Sequence, residues 1–189
     1  NLSTAQMAAM PTQLIAALST AQLTSITSAQ ITALGSAQLK VMTSAQLNSM
    51  DQTQLQAIDS TDLSALNTAT VAALTSTQLN KLSSKQIAGL NAAQVKALTS
   101  SQLNNLSTSL LQAIEAADLA AIATNVISTL SASQAALLST AQMAGFSSGQ
   151  LGAMTTDQLS NLGTTQIKAL TSNQIKALSS AQLNNLQAA

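Results

Sequence analysis

The sequence predicts an all-α fold, a solenoid or superhelix of very short capped helices built from one gapless eight-residue repeat. The first observation is that a large apolar residue recurs every eight residues from Leu2 to Leu186 without an insertion. The second is that another apolar series follows five residues after each of these, and only Ala135 breaks it. The third is a helix-start signal in most octads. Residues 3–186 thus form 23 complete octads of the pattern [ST]-[ST]-A-Q-[LI]-x-A-L.

The helix-start signal lies at positions 1 and 4 of the octad, when Ser3 is counted as position 1. Position 1 is Ser, Thr, Asp or Asn in 18 of 23 octads, and position 4 is Gln in 17 of 23. A hydroxyl at the N-cap accepts from the amide three residues later, while the Gln side chain there reaches back to the N-cap amide. Each octad therefore predicts its own helix of about five or six residues. Representative capping pairs are Ser3 with Gln6, Thr99 with Gln102, and Ser139 with Gln142.

Two other folds are less consistent with the pattern. In one continuous helix, the apolar stripe would drift by about 80° with every octad, so no partner could follow it. A β-solenoid is the alternative, because short repeats with Ser and Thr rows suit it. However, apolar series that are alternately five and three residues apart fall on opposite faces of a strand, and Ala, Gln, Leu and Met favour helix. The repeats show no linker, so residues 1–189 are expected to form a single repeat domain.

A longer rhythm appears at position 7, which is usually Ala. Large polar residues replace it at intervals that average about 26 residues, or roughly 3.3 octads, which predicts a superhelix with that number of octads per turn. In this interpretation the polar positions face water and the Ala positions face a close neighbour. The polar residues at position 7 are Asn1, Ser25, Ser49, Lys81, Asn105, Thr129, Asn161 and Asn185.

The composition argues against several classes of function. The chain has no Cys, His, Trp or Tyr, its lysines balance its acids at net charge 0, and charged residues make up 6%. Without Arg or aromatic stacking platforms, nucleic-acid binding is not expected. No catalytic, cofactor-binding or metal-binding residues are predicted, so we expect no enzyme. About half of every octad is polar, so we expect no membrane span.

Five of the six acidic residues occupy positions 1 and 4 of the octad. Asp51, Asp59 and Glu115 stand at position 1, and Asp62 and Asp118 stand at position 4. A carboxylate is favourable near a helix N-terminus, so these residues are interpreted as caps.

Apolar departures from the octad mark a possible interface. Leu14, Leu110 and Val126 replace Gln at position 4, and Leu137 replaces Ala at position 7. Extra apolar side chains on a solenoid reflect either local repacking or a lateral contact with another chain.

The octads at 2–9 (Leu-Ser-Thr-Ala-Gln-Met-Ala-Ala), 170–177 (Leu-Thr-Ser-Asn-Gln-Ile-Lys-Ala) and 178–185 (Leu-Ser-Ser-Ala-Gln-Leu-Asn-Asn) carry a resemblance. They resemble the LTTAQ-type octapeptide-repeat tracts of large bacterial secreted and surface proteins, which are described as adhesin-like. The resemblance extends over the whole chain and implies an extracellular or cell-surface location. Haem binding is not implied, because the chain has no His, Tyr or Cys to ligate the iron.

These observations predict an extracellular structural protein, either a filament subunit or an adhesin stalk, that assembles through its repeat surfaces. The expected partner is a second copy of the chain, joined end to end through residues 1–10 and 179–189 or side by side along the Ala positions; other cell-surface components are also possible partners. The alternative is a ligand-binding or ice-binding solenoid, although Ser, Thr, Asp, Asn and Gly mix freely at the positions that such a face would use.

Overall fold

The computed structural model describes residues 2–187, and that part of the chain contains 23 short α-helices with no strand. Two compact units are present, Asn1–Ala97 and Leu98–Ala189, and each is an all-α solenoid, as predicted. The helices of the first unit are α1 Thr4–Ala8, α2 Thr12–Ala17, α3 Thr20–Thr24, α4 Ser28–Thr32, α5 Ser36–Lys40, α6 Ser44–Ser49, α7 Gln52–Gln56, α8 Ser60–Leu63, α9 Thr68–Ala72, α10 Ser76–Lys81, α11 Ser84–Ala88 and α12 Ala92–Lys96. Those of the second unit are α13 Ser100–Asn104, α14 Thr108–Ala113, α15 Ala116–Leu119, α16 Thr124–Ile127, α17 Ala132–Leu137, α18 Thr140–Gly145, α19 Ser148–Ala153, α20 Thr156–Ser160, α21 Thr164–Lys168, α22 Ser172–Lys176 and α23 Ser180–Gln187.

Every octad yields one helix because each begins on extended backbone and returns to it eight residues later. The N-cap Thr27 has φ −73° and ψ 158°, which is typical of position 1. At position 8 the backbone is extended again, as at Met50 with φ −70° and ψ 144°. Among residues 2–187 none has a positive φ. The helices therefore end without a left-handed residue, and their last carbonyls need partners from elsewhere.

Within each unit a helix packs against the third helix further along the chain. In the first unit α1 packs on α4 and α5 on α8, and in the second α15 packs on α18 and α19 on α22. Hydrogen bonds between successive turns join residues 25 to 31 positions apart. Since three octads span 24 residues and four span 32, each turn takes between three and four octads. This agrees with the superhelical rhythm expected from position 7.

The two apolar series form the core. Position 5 is buried from the first octad as far as Leu159, with Ile15 and Leu23 at 0% exposure. Position 8 is buried where a preceding turn covers it, as at Met42 and Met50. Burial of two aliphatic side chains per octad is favourable by roughly 3–6 kcal/mol, and the packing of one turn on the next is what produces this burial.

Position 7 lies close to the preceding turn of the same unit at two of its glycines. A Cβ at Gly89 would lie 2.9 Å from the carbonyl oxygen of Ser60, on the preceding turn. In the second unit, a Cβ at Gly145 would lie 3.1 Å from that of Ala116. The close neighbour is thus the chain's own previous turn. Of the polar residues at position 7, Lys81 is half-buried and its Nζ donates to the Met50 carbonyl, while Asn1 lies outside the described residues.

Candidate functional site

The Gln side chain at position 4 has two tasks in the structure. In Gln46 the Oε1 atom accepts from the N–H of its own N-cap, Thr43, at 2.8 Å. The Nε2 atom of the same side chain donates to the carbonyls of Ile15 and Leu18, each at 2.9 Å, on the preceding turn. Only the first task is local to the octad. The second fastens each turn to the one before it.

This second task recurs along both units, in a set of contacts that we call the amide ladder. In each rung, Nε2 donates to carbonyls at position 5, position 8 or both of the preceding turn, between 28 and 31 residues earlier. These carbonyls lie at helix C-termini; those at position 5 already accept from the position-8 N–H, as Ile15 does from Leu18, and the rung adds a second donor. The rungs are buried, with Gln94 at 0% exposure. Gln residues with such bonds include Gln38, Gln46, Gln54, Gln86, Gln94, Gln142, Gln150, Gln158, Gln166 and Gln174.

The capping pairs named from the sequence have the following geometry. Ser3 N donates to Gln6 Oε1 at 2.8 Å, and Gln6 N donates to Ser3 Oγ at 3.2 Å. The corresponding distances are 2.8 and 3.2 Å for Thr99 with Gln102. For Ser139 with Gln142 they are 2.9 and 3.2 Å.

Asparagines at position 6 form a second link between turns, directed toward the following turn. Asn104 Nδ2 donates to the Thr129 carbonyl at 3.0 Å, and its Oδ1 accepts from Ser131 N at 2.7 Å. Asn48 makes the same pair of bonds to Ala73 and Thr75. In both places the Asn Oδ1 accepts the hydrogen bond from an N-cap N–H of the following turn. The Oε1 of the Gln in the same octad as that N-cap would otherwise accept this bond. As a result, Oε1 of Gln78 and of Gln134 is buried without a hydrogen-bond partner.

The first turn, residues 2–26, has no turn before it in the structure and is open on that side. Gln6 and Gln22 keep their capping boxes, but their side chains are exposed and make no bond to a preceding turn. Leu2 and Leu14 are 45% and 56% exposed, more than the other large apolar residues of the described chain. A cavity of about 180 Å³ opens here between Met10, Leu18, Ile26, Leu2, Met7, Gln22, Ser25 and Gln30.

The last turn, residues 163–187, is open on its opposite side. The position-5 residues Ile167, Ile175 and Leu183 are half-buried, whereas the equivalent Leu159 one turn earlier is fully buried. The position-8 carbonyls of Leu162 and Leu170 receive no amide from any described side chain. The first turn therefore exposes position-8 apolar groups and amide donors, while the last turn exposes position-5 apolar groups and carbonyl acceptors.

The four apolar residues named as a possible interface are in different environments. Leu14 is exposed, while Val126 and Leu137 are half-buried. Leu110 is 4% exposed, which agrees with local repacking, the first of the two interpretations, rather than with a lateral contact. The physical reason is that position 4 points inward in stacked octads, where the usual Gln is buried too.

The acidic residues belong to the helix starts in most cases. Asp51 forms a full capping box with Gln54, and bonds from the Thr61 hydroxyl and N–H lower the pKa of Asp59. Glu115 makes no side-chain cap bond. The pKa of Asp118 is raised, mainly by its partial burial and to a smaller extent by the negative charge of the neighbouring Glu115. Asp62 accepts from the Ser36 hydroxyl on the preceding turn.

Residues 2–187 hold neither a cluster of metal ligands nor a membrane-spanning helix. No group of three or more His, Cys, Asp or Glu is placed to hold a metal ion in this part of the chain. No described helix is long and apolar enough to cross a bilayer.

Part of the chain is similar to a known repeat family. In both units one octad yields one capped helix, and side-chain amides join successive turns. The model of the ALTTAQ repeat family matches residues 55–91, 79–108 and 151–188, so these segments are similar to that repeat. No curated protein matches the chain.

Proposed function

We propose that the chain is an extracellular structural protein, a filament subunit or the stalk of a cell-surface adhesin, and that it assembles through its repeat surfaces. The amide ladder is the observation that supports this role best. Because each rung uses only the octad's own Gln and the turn before it, octads can be added without changing the contacts of those already present. Such a tract suits a spacer or a polymer.

The polar chemistry of the octad supports a structural role rather than a catalytic one. The Ser, Thr and Gln side chains at positions 1 and 4 bind backbone amides and carbonyls, as in Ser147 with Gln150. The sequence offers no His or Cys to activate a hydroxyl nucleophile.

The location is tested with an antibody raised against the 189-residue chain. We expect it to label intact, non-permeabilised cells of the producing organism, and electron microscopy with gold particles should place the label outside the envelope. Labelling that requires lysis would contradict the proposal.

The spacer role is tested by duplicating residues 131–154, three octads of the second unit. The enlarged chain should fold with the same helical circular-dichroism signal per residue as the wild type.

A further inference from the structure

We infer that the octad at residues 67–74 binds a glutamine side chain of a partner polypeptide. Thr70 stands at position 4 of this octad, the position at which Gln forms the rungs of the amide ladder. Because Thr is shorter than Gln and has no N–H donor in its side chain, it cannot form a rung. The inference goes beyond the proposed structural function, since it assigns a binding site and a ligand chemistry to one octad.

A matched octad in the same unit shows which chemical group belongs at this place. Residues 91–98 also begin with Asn at the N-cap, and Nδ2 of Asn91 donates to the Ser64 carbonyl of the preceding turn at 3.1 Å. Nδ2 of Asn67 donates to the equivalent carbonyl, that of Lys40, at 3.0 Å. The two octads are therefore held against the turn before them in the same way.

The side chain of Gln94 fills this place in the matched octad. Its Oε1 accepts from the Asn91 N–H at 3.0 Å, and its Nε2 donates to the carbonyls of Leu63 and Leu66 at 2.9 Å each. The side chain is 0% exposed, so a carboxamide fits completely between the two turns. A group that carries an acceptor and a donor on one plane, as a carboxamide does, is what this arrangement of backbone groups selects.

The octad at 67–74 presents the same backbone groups without a carboxamide of its own. The equivalent carbonyls are those of Leu39 and Met42, and no described side chain donates to either of them. The helix α9 also lacks a capping box, because Thr70 does not reach back to the N–H of Asn67. The donor and the acceptors that hold a Gln side chain in the matched octad are therefore all present here.

A groove gives an external side chain access to these groups. It has a volume of about 620 Å³ and lies between residues 40–44 of one turn and Asn67, Ala69 and Thr70 of the next. A similar groove of about 570 Å³ lies at Gln38, but there the chain's own Nε2 already binds the carbonyls of the turn before. A glutamine of a partner can therefore enter beside Thr70 and make the bonds that Gln94 makes within the chain.

The binding experiment is an NMR titration of the isotopically labelled 189-residue chain with two short peptides. The probe is acetyl-Ala-Gln-Ala-amide, and its control of equal size is acetyl-Ala-Glu-Ala-amide. We expect the Gln peptide to shift the amide signals of Asn67 and Thr43. The Glu peptide should bind at least about tenfold more weakly, because a carboxylate offers no donor to the two carbonyls.

Variants of the chain test whether the place itself is responsible. Thr70→Gln supplies the chain's own carboxamide, so it should abolish the shifts caused by the Gln peptide and raise the urea concentration at the midpoint of unfolding. The control Ala93→Gln adds the same side chain at an exposed position of the matched octad and should change neither result. A Gln peptide that leaves both signals unshifted, shifts that persist in Thr70→Gln, or a midpoint for Thr70→Gln no higher than that for Ala93→Gln would overturn the inference.

Discussion

The helices α1–α3 and the helices α5–α7 follow the same octad but differ in what precedes them. In α5–α7 the Gln at position 4 is buried and donates to the turn before, whereas Gln6 and Gln22 in the open turn are exposed. The capping geometry is the same in both regions, with Ser19 N at 2.8 Å from Gln22 Oε1 and Thr43 N at 2.8 Å from Gln46 Oε1. The comparison separates the two tasks of the Gln, because the open turn performs only the local one.

The largest expected difference in stability between the two regions comes from replacing the donating NH2 group of a Gln by a carboxylate oxygen of similar size. Gln46→Glu would place a carboxylate against the Ile15 and Leu18 carbonyls, and we expect it to lower the free energy of unfolding by at least about 3 kcal/mol at neutral pH. Gln22→Glu should change it by less than about 0.5 kcal/mol, because a carboxylate in the first turn of an exposed helix is tolerated. Urea unfolding of dilute protein measures both.

Acidification provides the control for this pair. Burial raises the folded-state pKa of the carboxyl introduced by Gln46→Glu above its unfolded value, so stability lost at neutral pH should return as the pH falls through that raised pKa. Equal effects of the two substitutions at all pH values would contradict the amide ladder.

Separating the cap from the rung sharpens the comparison within one stacked octad. Ser139→Ala removes one cap bond and should cost about 1 kcal/mol. Gln142→Ala also removes the bonds to the Leu111 and Ile114 carbonyls, at 2.8 Å each, and should cost about 2–3 kcal/mol. Hydrogen exchange should show the loss of protection confined to α18 and its neighbouring turns, because repeats couple only to their neighbours. A cost for Ser139→Ala that equals the cost for Gln142→Ala would mean that the rung contributes nothing.

Two glycines test the packing of stacked turns against an open position. Gly89→Ala would place a methyl group 2.9 Å from the Ser60 carbonyl oxygen and should destabilise by about 1–2 kcal/mol. A Cβ at Gly35 would meet no atom within 4 Å, so Gly35→Ser should instead add a few tenths of a kcal/mol as an N-cap. Thermal unfolding curves of the two variants should shift in opposite directions. A higher melting temperature for Gly89→Ala would contradict the close approach of the two turns.

The buried Oε1 of Gln134 predicts a compensation. Asn104→Ala frees the Ser131 N–H, which Gln134 Oε1 can then accept, so this variant should cost less than about 1 kcal/mol. In the double variant with Gln134→Ala, the Ser131 N–H loses both acceptors. The double-variant cycle should therefore show a coupling of about 1 kcal/mol beyond the sum of the single changes. Additive effects would show that no such exchange of partners takes place.

The smallest expected effect concerns pH. The pKa of Asp118 is raised above its unfolded value, so its protonated form is favoured in the folded chain and stability falls as the pH rises through the two pKa values. Asp118→Asn should therefore unfold at a slightly higher urea concentration than the wild type at neutral pH. The advantage should disappear in acid. An Asp118→Asn chain that is less stable at neutral pH would show that the carboxylate is a favourable cap.

The sequence alone determined the secondary structure, because the signals for each helix lie within one octad. Ser139 and Gln142 are three residues apart, and the N-cap and N3 positions meet in any helix that starts there. The two apolar series likewise identify the core, since two residues per octad must be buried wherever the turns stack. The polar rhythm at position 7 also predicted between three and four octads per turn, although it did not reveal which surface the Ala residues contact.

Only the tertiary structure decided what the Gln amide and the small residues do between turns. The Nε2 atom of Gln46 meets the Ile15 carbonyl 31 residues earlier because of the pitch of the turn, and no local rule in the octad specifies that pitch. The same pitch places Gly89 against Ser60 and buries Leu110 at position 4. Contacts inside an octad depend on backbone geometry that the octad itself encodes, whereas contacts between octads depend on how successive turns superimpose.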